Sequence, residues 1–264
     1  GTQGRRVDAR ASHSCRSVSR TPVAGGYKVA GVSALAVVAA AASVGTTGMG
    51  QSSTKAGVVV WGSLEHGQLG IGGLTVEDRA LPPRLVEGLR SVHVRQVVCS
   101  GHYSAAVSEG GEVYTWGGGK DGQLGHGDSK DVHVPKAVRA LQSKLIRNIS
   151  CAEHHAAAVS ESGVLYTWGR GQNGRLGHGG TDSELFPKAV DALAGQHVMQ
   201  VSAGDFHTAC VILSPPQVYT WGLGLSGRLG HGDEKDCFLP TPVEALSGTN
   251  IACINCGGHH SAVI

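Results

Sequence analysis

Histidine is the titratable residue that this sequence repeats most regularly. Fourteen occur in 264 residues, and two sets of three recur at matching offsets: His126, His178 and His231, each followed by glycine, and His155, His207 and His260. An imidazole can act as general base, metal ligand or pH sensor. A catalytic base is needed once, however, whereas these return in every period, so both sets are expected to make structural hydrogen bonds. Cys253 and Cys256, in C-x-x-C spacing and followed by His259 and His260, offer a formal zinc set. Cys256 falls in the same slot as Cys99, Cys151 and Ala203. That slot suits a small residue in a strand, and structural cysteine is the expectation.

Glycine offers a second formal match. G-x-G-x-x-G appears at Gly117-Gly119-Gly122, Gly169-Gly171-Gly174 and Gly222-Gly224-Gly227. A dinucleotide site needs a helix N-terminus facing the pyrophosphate within a βαβ unit. Here the glycines run instead into Leu-Gly-His-Gly turns, and they read as positions for positive φ and close backbone approach near a central axis. Lys120 is no Walker lysine, because Tyr114 stands where the first glycine belongs and Asp121 where Ser or Thr should follow. No Ser-His-Asp arrangement, acid pair or H-E-x-x-H motif occurs. The sequence thus nominates no catalytic, cofactor-binding or metal-binding residue.

What positions all these residues is a repeat of about fifty residues. Its anchor is Trp-Gly at Trp61, Trp116, Trp168 and Trp221, spaced by 55, 52 and 53 residues, with Tyr-Thr before the last three. Each anchor is followed by a turn: Gln68-Leu69-Gly70, Gln123-Leu124-Gly125-His126-Gly127, Arg175-Leu176-Gly177-His178-Gly179 and Arg228-Leu229-Gly230-His231-Gly232. Within one period four strands are expected. Val113–Trp116, apolar on both faces, suits a central place. A segment opened by Pro135 and running to Leu141 suits an outer one, since proline cannot donate to a ladder; Pro83, Pro187 and Pro240 repeat it. Ile146–Cys151 and His155–Val159 complete the set, and Ser160–Gly163 turns the chain into the next Tyr-Thr-Trp.

Composition agrees with short strands and tight turns. Gly reaches 41 residues and charged residues only 16%, so few helices are expected. Residues 1–55 carry a net charge of +6 and the remainder −4. A mildly acidic repeat region lacks the basic stripe that tracks a phosphate backbone, so nucleic acid is not the expected partner. Seven cysteines in no framework-like spacing suit a reducing compartment. Residues 1–55 read as a low-complexity basic leader. Its Arg- and Ser-rich start is like an organellar transit peptide, and the apolar run 29–45 lies at the lower limit for a membrane span. Cytoplasmic and mitochondrial locations both stay open, and membrane contact is expected only through 29–45.

The wording of the repeat, Y-T-W-G then G-x-x-G-[QR]-L-G-H-G then [CA]-x-x-x-H-[STA]-x-A, closely resembles the RCC1 (regulator of chromosome condensation) repeat over residues 56–264. The first copy departs most, with Val59 for Tyr, Ile71 for His and Tyr103 for His. The resemblance implies an all-β fold, a β-propeller of four-stranded blades, here incomplete at about four of an expected seven. The chain stops inside a strand at Ile264, so a longer product, or another chain covering the open end, is expected. Relatives serve as exchange factors for small GTPases, as partner-binding domains of large ubiquitin ligases and, in one plant group, as light receptors. The even spacing leaves little room for the inserted wedge of an exchange factor. All four Trp belong to the blade signature, which weighs against a light receptor. The expectation is a protein-interaction module with no enzymatic activity of its own; the alternative is guanine-nucleotide exchange on, or regulation of, a small GTPase. The loop acids Asp121, Asp128, Asp131, Asp182, Asp233, Glu234 and Asp236 are the expected partner-binding residues.

Overall fold

The computed structural model describes residues 57–73 and 82–264, and the leader with its apolar run 29–45 lies outside them. Strands β1 (Val59–Val60) and β2 (Arg84–Leu85) form a two-stranded sheet. Three antiparallel four-stranded sheets follow, each in sequence order. The first holds β3 (Val94–Cys99), β4 (Tyr103–Ser108), β5 (Val113–Gly117) and β6 (Val132–Ala137). The second holds β7 (Ile146–Cys151), β8 (His155–Ser160), β9 (Leu165–Gly169) and β10 (Glu184–Ala189). The third holds β11 (Val198–Ala203), β12 (His207–Leu213), β13 (Pro216–Gly222) and β14 (Cys237–Pro242). A last pair, β15 (Ile254–Cys256) and β16 (Ser261–Val263), matches the first two strands of a sheet. The only helical pieces among the described residues are 3₁₀ turns of three residues, such as Arg139–Leu141.

The inner strands of these sheets have no solvent face, whereas the fourth strands are largely exposed, and strand periodicity explains how the sheets pack. Along β8, Ala156 and Ala158 join Ala105, Val107, Val113 and Ile149 against the preceding sheet. Ala157 and Val159 turn the other way and meet Val198, Val201, Cys210 and Ile212 of the following one. Because successive side chains point to opposite faces, a strand of small apolar residues can serve two cores at once. β4 and β8 are buried at every position. The sheets converge on their first strands: β3 packs on β7, β7 on β11 and β11 on β15. Side chains stitch that seam from one sheet to the next. Gln96 and Ile149 exchange bonds, Ser150 Oγ accepts from Ala203 N, and Ser202 Oγ accepts from Cys256 N.

The tryptophans lock neighbouring sheets together. Trp116, Trp168 and Trp221 are fully buried. Each indole N–H donates into the preceding repeat, to the carbonyls of Gln68 (2.9 Å), Gln123 (2.8 Å) and Arg175 (3.0 Å). Gly125 (φ +74°) explains the recurring geometry of that turn: a Cβ there would lie 2.9 Å from the Trp168 Nε1. The turn then docks outward, Gly127 N donating to Leu185 O and Gly179 N to Phe238 O on the next fourth strand.

Three expectations need correction. Pro135 lies inside the outer strand β6, not at its start, and residues 139–141 form a 3₁₀ turn. An edge strand needs no donor at that position, and its pairing with β5 is already irregular between Thr115 and Gly117. The glycine loops connect third and fourth strands: their first glycines, Gly117, Gly169 and Gly222, approach the turns that join first and second strands, and the rest of each loop runs outward to the fourth strand. Finally, Trp61 departs from its three counterparts, being 39% exposed, because no preceding sheet stands against it among the described residues.

Candidate functional site

Strand register brings two kinds of loop to one end of every sheet. His155 pairs with Gly169 and His207 with Gly222, so the short turn joining first and second strands lies beside the long loop joining third and fourth. Backbone bonds fix the two together: Gly118 N donates to His102 O, Arg170 N to His154 O and Leu223 N to Phe206 O. The inner turns are Ser100–His102, Ala152–His154, Gly204–Phe206 and Gly257–His259. The long loops span 118–131, 170–183 and 223–236, each 14 residues.

Beneath this face the histidines are structural. His126, His178 and His231 meet the hydroxyls of Thr115, Thr167 and Thr220 through Nε2 at 3.0–3.1 Å. Each threonine donates to the carbonyl of Leu124, Leu176 or Leu229, so its oxygen is left to accept from Nε2–H, which fixes the tautomer. His155 Nε2 meets Thr208 Oγ1 at 2.8 Å, and Thr208 donates to Arg175 O. His207 does the same with Ser261, which donates to Arg228 O. Burial, with Lys136 beside it, brings His126 down to about 4. Burial and the nearby Arg228 bring His207 to about 4. His155 is held well below the usual range by burial, then by Arg175. Burial and hydrogen bonding thus hold His126, His155 and His207 as weak bases packed in the frame. Tyr103 takes the histidine slot in the first sheet, donating to the His155 carbonyl at 2.7 Å. His260 departs from the set: its side chain is exposed, because no sheet follows it among the described residues.

The loop acids divide by role. Asp131 and Asp236 accept from Gly119 N and Gly224 N at 2.8 and 2.9 Å, closing their loops, and Ser183 Oγ takes the same part for Gly171. Asp128 and Asp233 accept from the amides of Lys130 and Lys235 two residues on, local Asx turns. Glu234 accepts from Ser226 N at 3.2 Å, and Asp182 is exposed. Of the seven, Asp121 alone reaches the inner turns, its Oδ2 lying 2.9 Å from His154 Nδ1. Sequence reasoning missed the inner-turn residues themselves. His66 packs edge-on to His102 at 4.7 Å, His102 Nε2 lies 3.3 Å from Glu153, and Glu153 neighbours His154. Further along, Phe206 carries the guanidinium groups of Arg175 (5.1 Å) and Arg228 (5.7 Å) and the ring of His259 (5.7 Å). Their signal was positional: they stand where the repeat tolerates any residue.

No set of three His, Cys, Asp or Glu side chains able to hold a metal exists among the described residues. Burial pushes the Cys151 thiol up to about 12 and Cys256 to about 11, so these are poor thiolates. No described helix is long and apolar enough to cross a membrane.

Four-stranded sheets packed face to face through a shared first-strand seam, with tryptophans bridging them, define an RCC1-type propeller arc. The family model of the RCC1-like domain matches residues 13–263, and the chain belongs to that family. The match begins inside the segment that composition set apart as a leader. Among curated relatives, the human E3 ubiquitin-protein ligase HERC2 is 37% identical over 211 residues, 78% of this chain and 4% of that protein. The ultraviolet-B receptor UVR8 of Arabidopsis thaliana is 36% identical over 78% of this chain and 46% of its own length. Among solved structures, Prp20p from Saccharomyces cerevisiae, described with its binding to Gsp1p and histones, superimposes with a TM-score of 0.69 at 28% identity, covering 79% of this chain and 51% of that one. The chain thus spans about half or less of each relative's length.

Proposed function

We propose that this chain is a protein-interaction module whose docking surface is the face of inner turns and long loops. One observation carries the reading. The turns are held by the same main-chain bonds in each sheet, Ser100 N to Tyr103 O, Ala152 N to His155 O, Gly204 N to His207 O and Gly257 N to His260 O, while their outward residues differ: His102, Glu153 and His154, Asp205 and Phe206, His259. A constant frame with variable side chains suits recognition better than catalysis. The face mixes both charge signs with an aromatic centre, which favours protein over nucleic acid. The expected partner is therefore a protein.

Regulation of a small GTPase is the second reading, supported by the likeness to Prp20p, whose description names binding to Gsp1p. The three long loops are equal in length, which speaks against a blade-specific wedge. Cross-linking coupled to peptide mapping tests the first reading: partner cross-links should fall on 100–102, 118–131, 152–154 and 204–206, and cross-links confined to the opposite end would refute it. A nucleotide-exchange assay across GTPases separates the second. For localisation, we propose that residues 1–55 direct the chain to an organelle, a reading that rests on their Arg- and Ser-rich composition; imaging of the tagged chain with and without them tests it.

A further inference from the structure

Two arginines occupy one slot of the repeat but are used differently. Arg175 has a bond from each guanidinium nitrogen: Nε donates to Gln172 O (2.8 Å), Nη1 to Asp205 O (2.8 Å) and Nη2 to Asn173 Oδ1 (3.1 Å). Arg228 repeats only the first of these, Nε to Leu225 O at 2.8 Å. It is 4% exposed, and no protein acceptor reaches its buried Nη1. The positions that supply Arg175's three acceptors have counterparts beside Arg228 in Leu225, Ser226 and Gly258, whereas the third and fourth strands that follow Arg175's sheet have none there among the described residues. Ser226, at φ +63° like Asn173 at +62°, is too short to supply an amide oxygen, and Gly258, in the place of Asp205, does not bring its carbonyl to Nη1.

We propose that Arg228 is an anchor for a carboxylate side chain of the protein partner, entering where Asn173 fills the equivalent space. The Nε bond holds the guanidinium plane, the Phe206 ring lies 5.7 Å from it, and the His259 ring meets Phe206 at a tilt. A pre-oriented fork with free donors is what a carboxylate binds in bidentate fashion, and a buried donor without an acceptor gains most from one. Neither Glu234, bonded to Ser226 N, nor Asp205 forms an ion pair with Arg228. The proposal rests on the reading of this face as a docking surface and names the chemistry of one contact on it.

The Arg228 Nε–Hε resonance of the 264-residue chain, followed by NMR during titration with N-acetyl-aspartate amide and with N-acetyl-asparagine amide, tests it. The expected result is a saturable shift for the aspartate probe, at least about tenfold weaker for the asparagine probe, as loss of a charge-assisted pair implies. Ser226→Asn should remain folded and abolish the response by filling the space. Asn173→Ser should create a response at Arg175. No shift at Arg228, or an unchanged one in Ser226→Asn, overturns the proposal. Partner cross-links that stay on this face in Ser226→Asn would then show that the docking reading survives without the anchor.

Discussion

Replacing Trp168 with alanine tests how these sheets are held together. The side chain is completely buried and belongs to the core formed with Ala105, Val107 and Ile149. A tryptophan buries about 150–250 Å², which at about 25 cal/mol/Å² corresponds to about 4–6 kcal/mol. Partial collapse of the cavity brings the expected cost to about 3–5 kcal/mol. Part of it is polar, since the Gln123 carbonyl loses the indole N–H that it accepts at 2.8 Å. For a domain of this size each kcal/mol lowers Tm by about 2–4 °C, so a fall of about 6–20 °C is expected in thermal unfolding followed by circular dichroism. Trp61→Ala is the internal control: its ring is 39% exposed, and the loss should be less than half as large. If Trp168→Ala melts with the parent, or if the two variants are equivalent, tryptophan does not bridge the sheets and the packing argument fails.

Acid should unfold this protein through its buried imidazoles. His126, His155 and His207 all have pKa values lowered in the fold relative to about 6.5 in the unfolded chain. The unfolded state therefore binds more protons below that value, so stability is complete above about pH 6.5 and declines as pH falls toward about 4. His155→Tyr, a residue already accepted in the same slot at Tyr103, should make that decline shallower in urea unfolding. An unchanged acid limb would refute the assignment. The loop lock gives a second contrast: Asp236→Ser should change stability little, because Ser183 performs the same bond, whereas Asp236→Ala should cost about 1 kcal/mol. Equal urea midpoints for the two variants would show that the Gly224 amide needs no partner.

The sequence by itself determined the unit and its count. Trp-Gly spacing, Gly-His turns and runs such as Ala156–Val159 announce short strands that have no solvent face, because their residues are small and apolar on both sides. It also gave the expectation that the recurring histidines belong to the frame, since chemistry needs a group once and hydrogen-bonded architecture needs it in every blade; His126, His155, His178, His207 and His231 make such bonds, and His260 is exposed. Tertiary structure decided which residues share a surface. Asp131 and Asp236 look like exposed recognition acids in the sequence, yet their carboxylates face the amides of Gly119 and Gly224 across the loop. Proline at 135 marks an outer strand but not its start, because an edge position is set by pairing partners that lie elsewhere in the chain. Arg175 and Arg228 read as one repeated letter. Only the surrounding turns, 30 residues further along in the case of Asp205, give every nitrogen of one guanidinium an acceptor and leave the other with a buried Nη1 that has none.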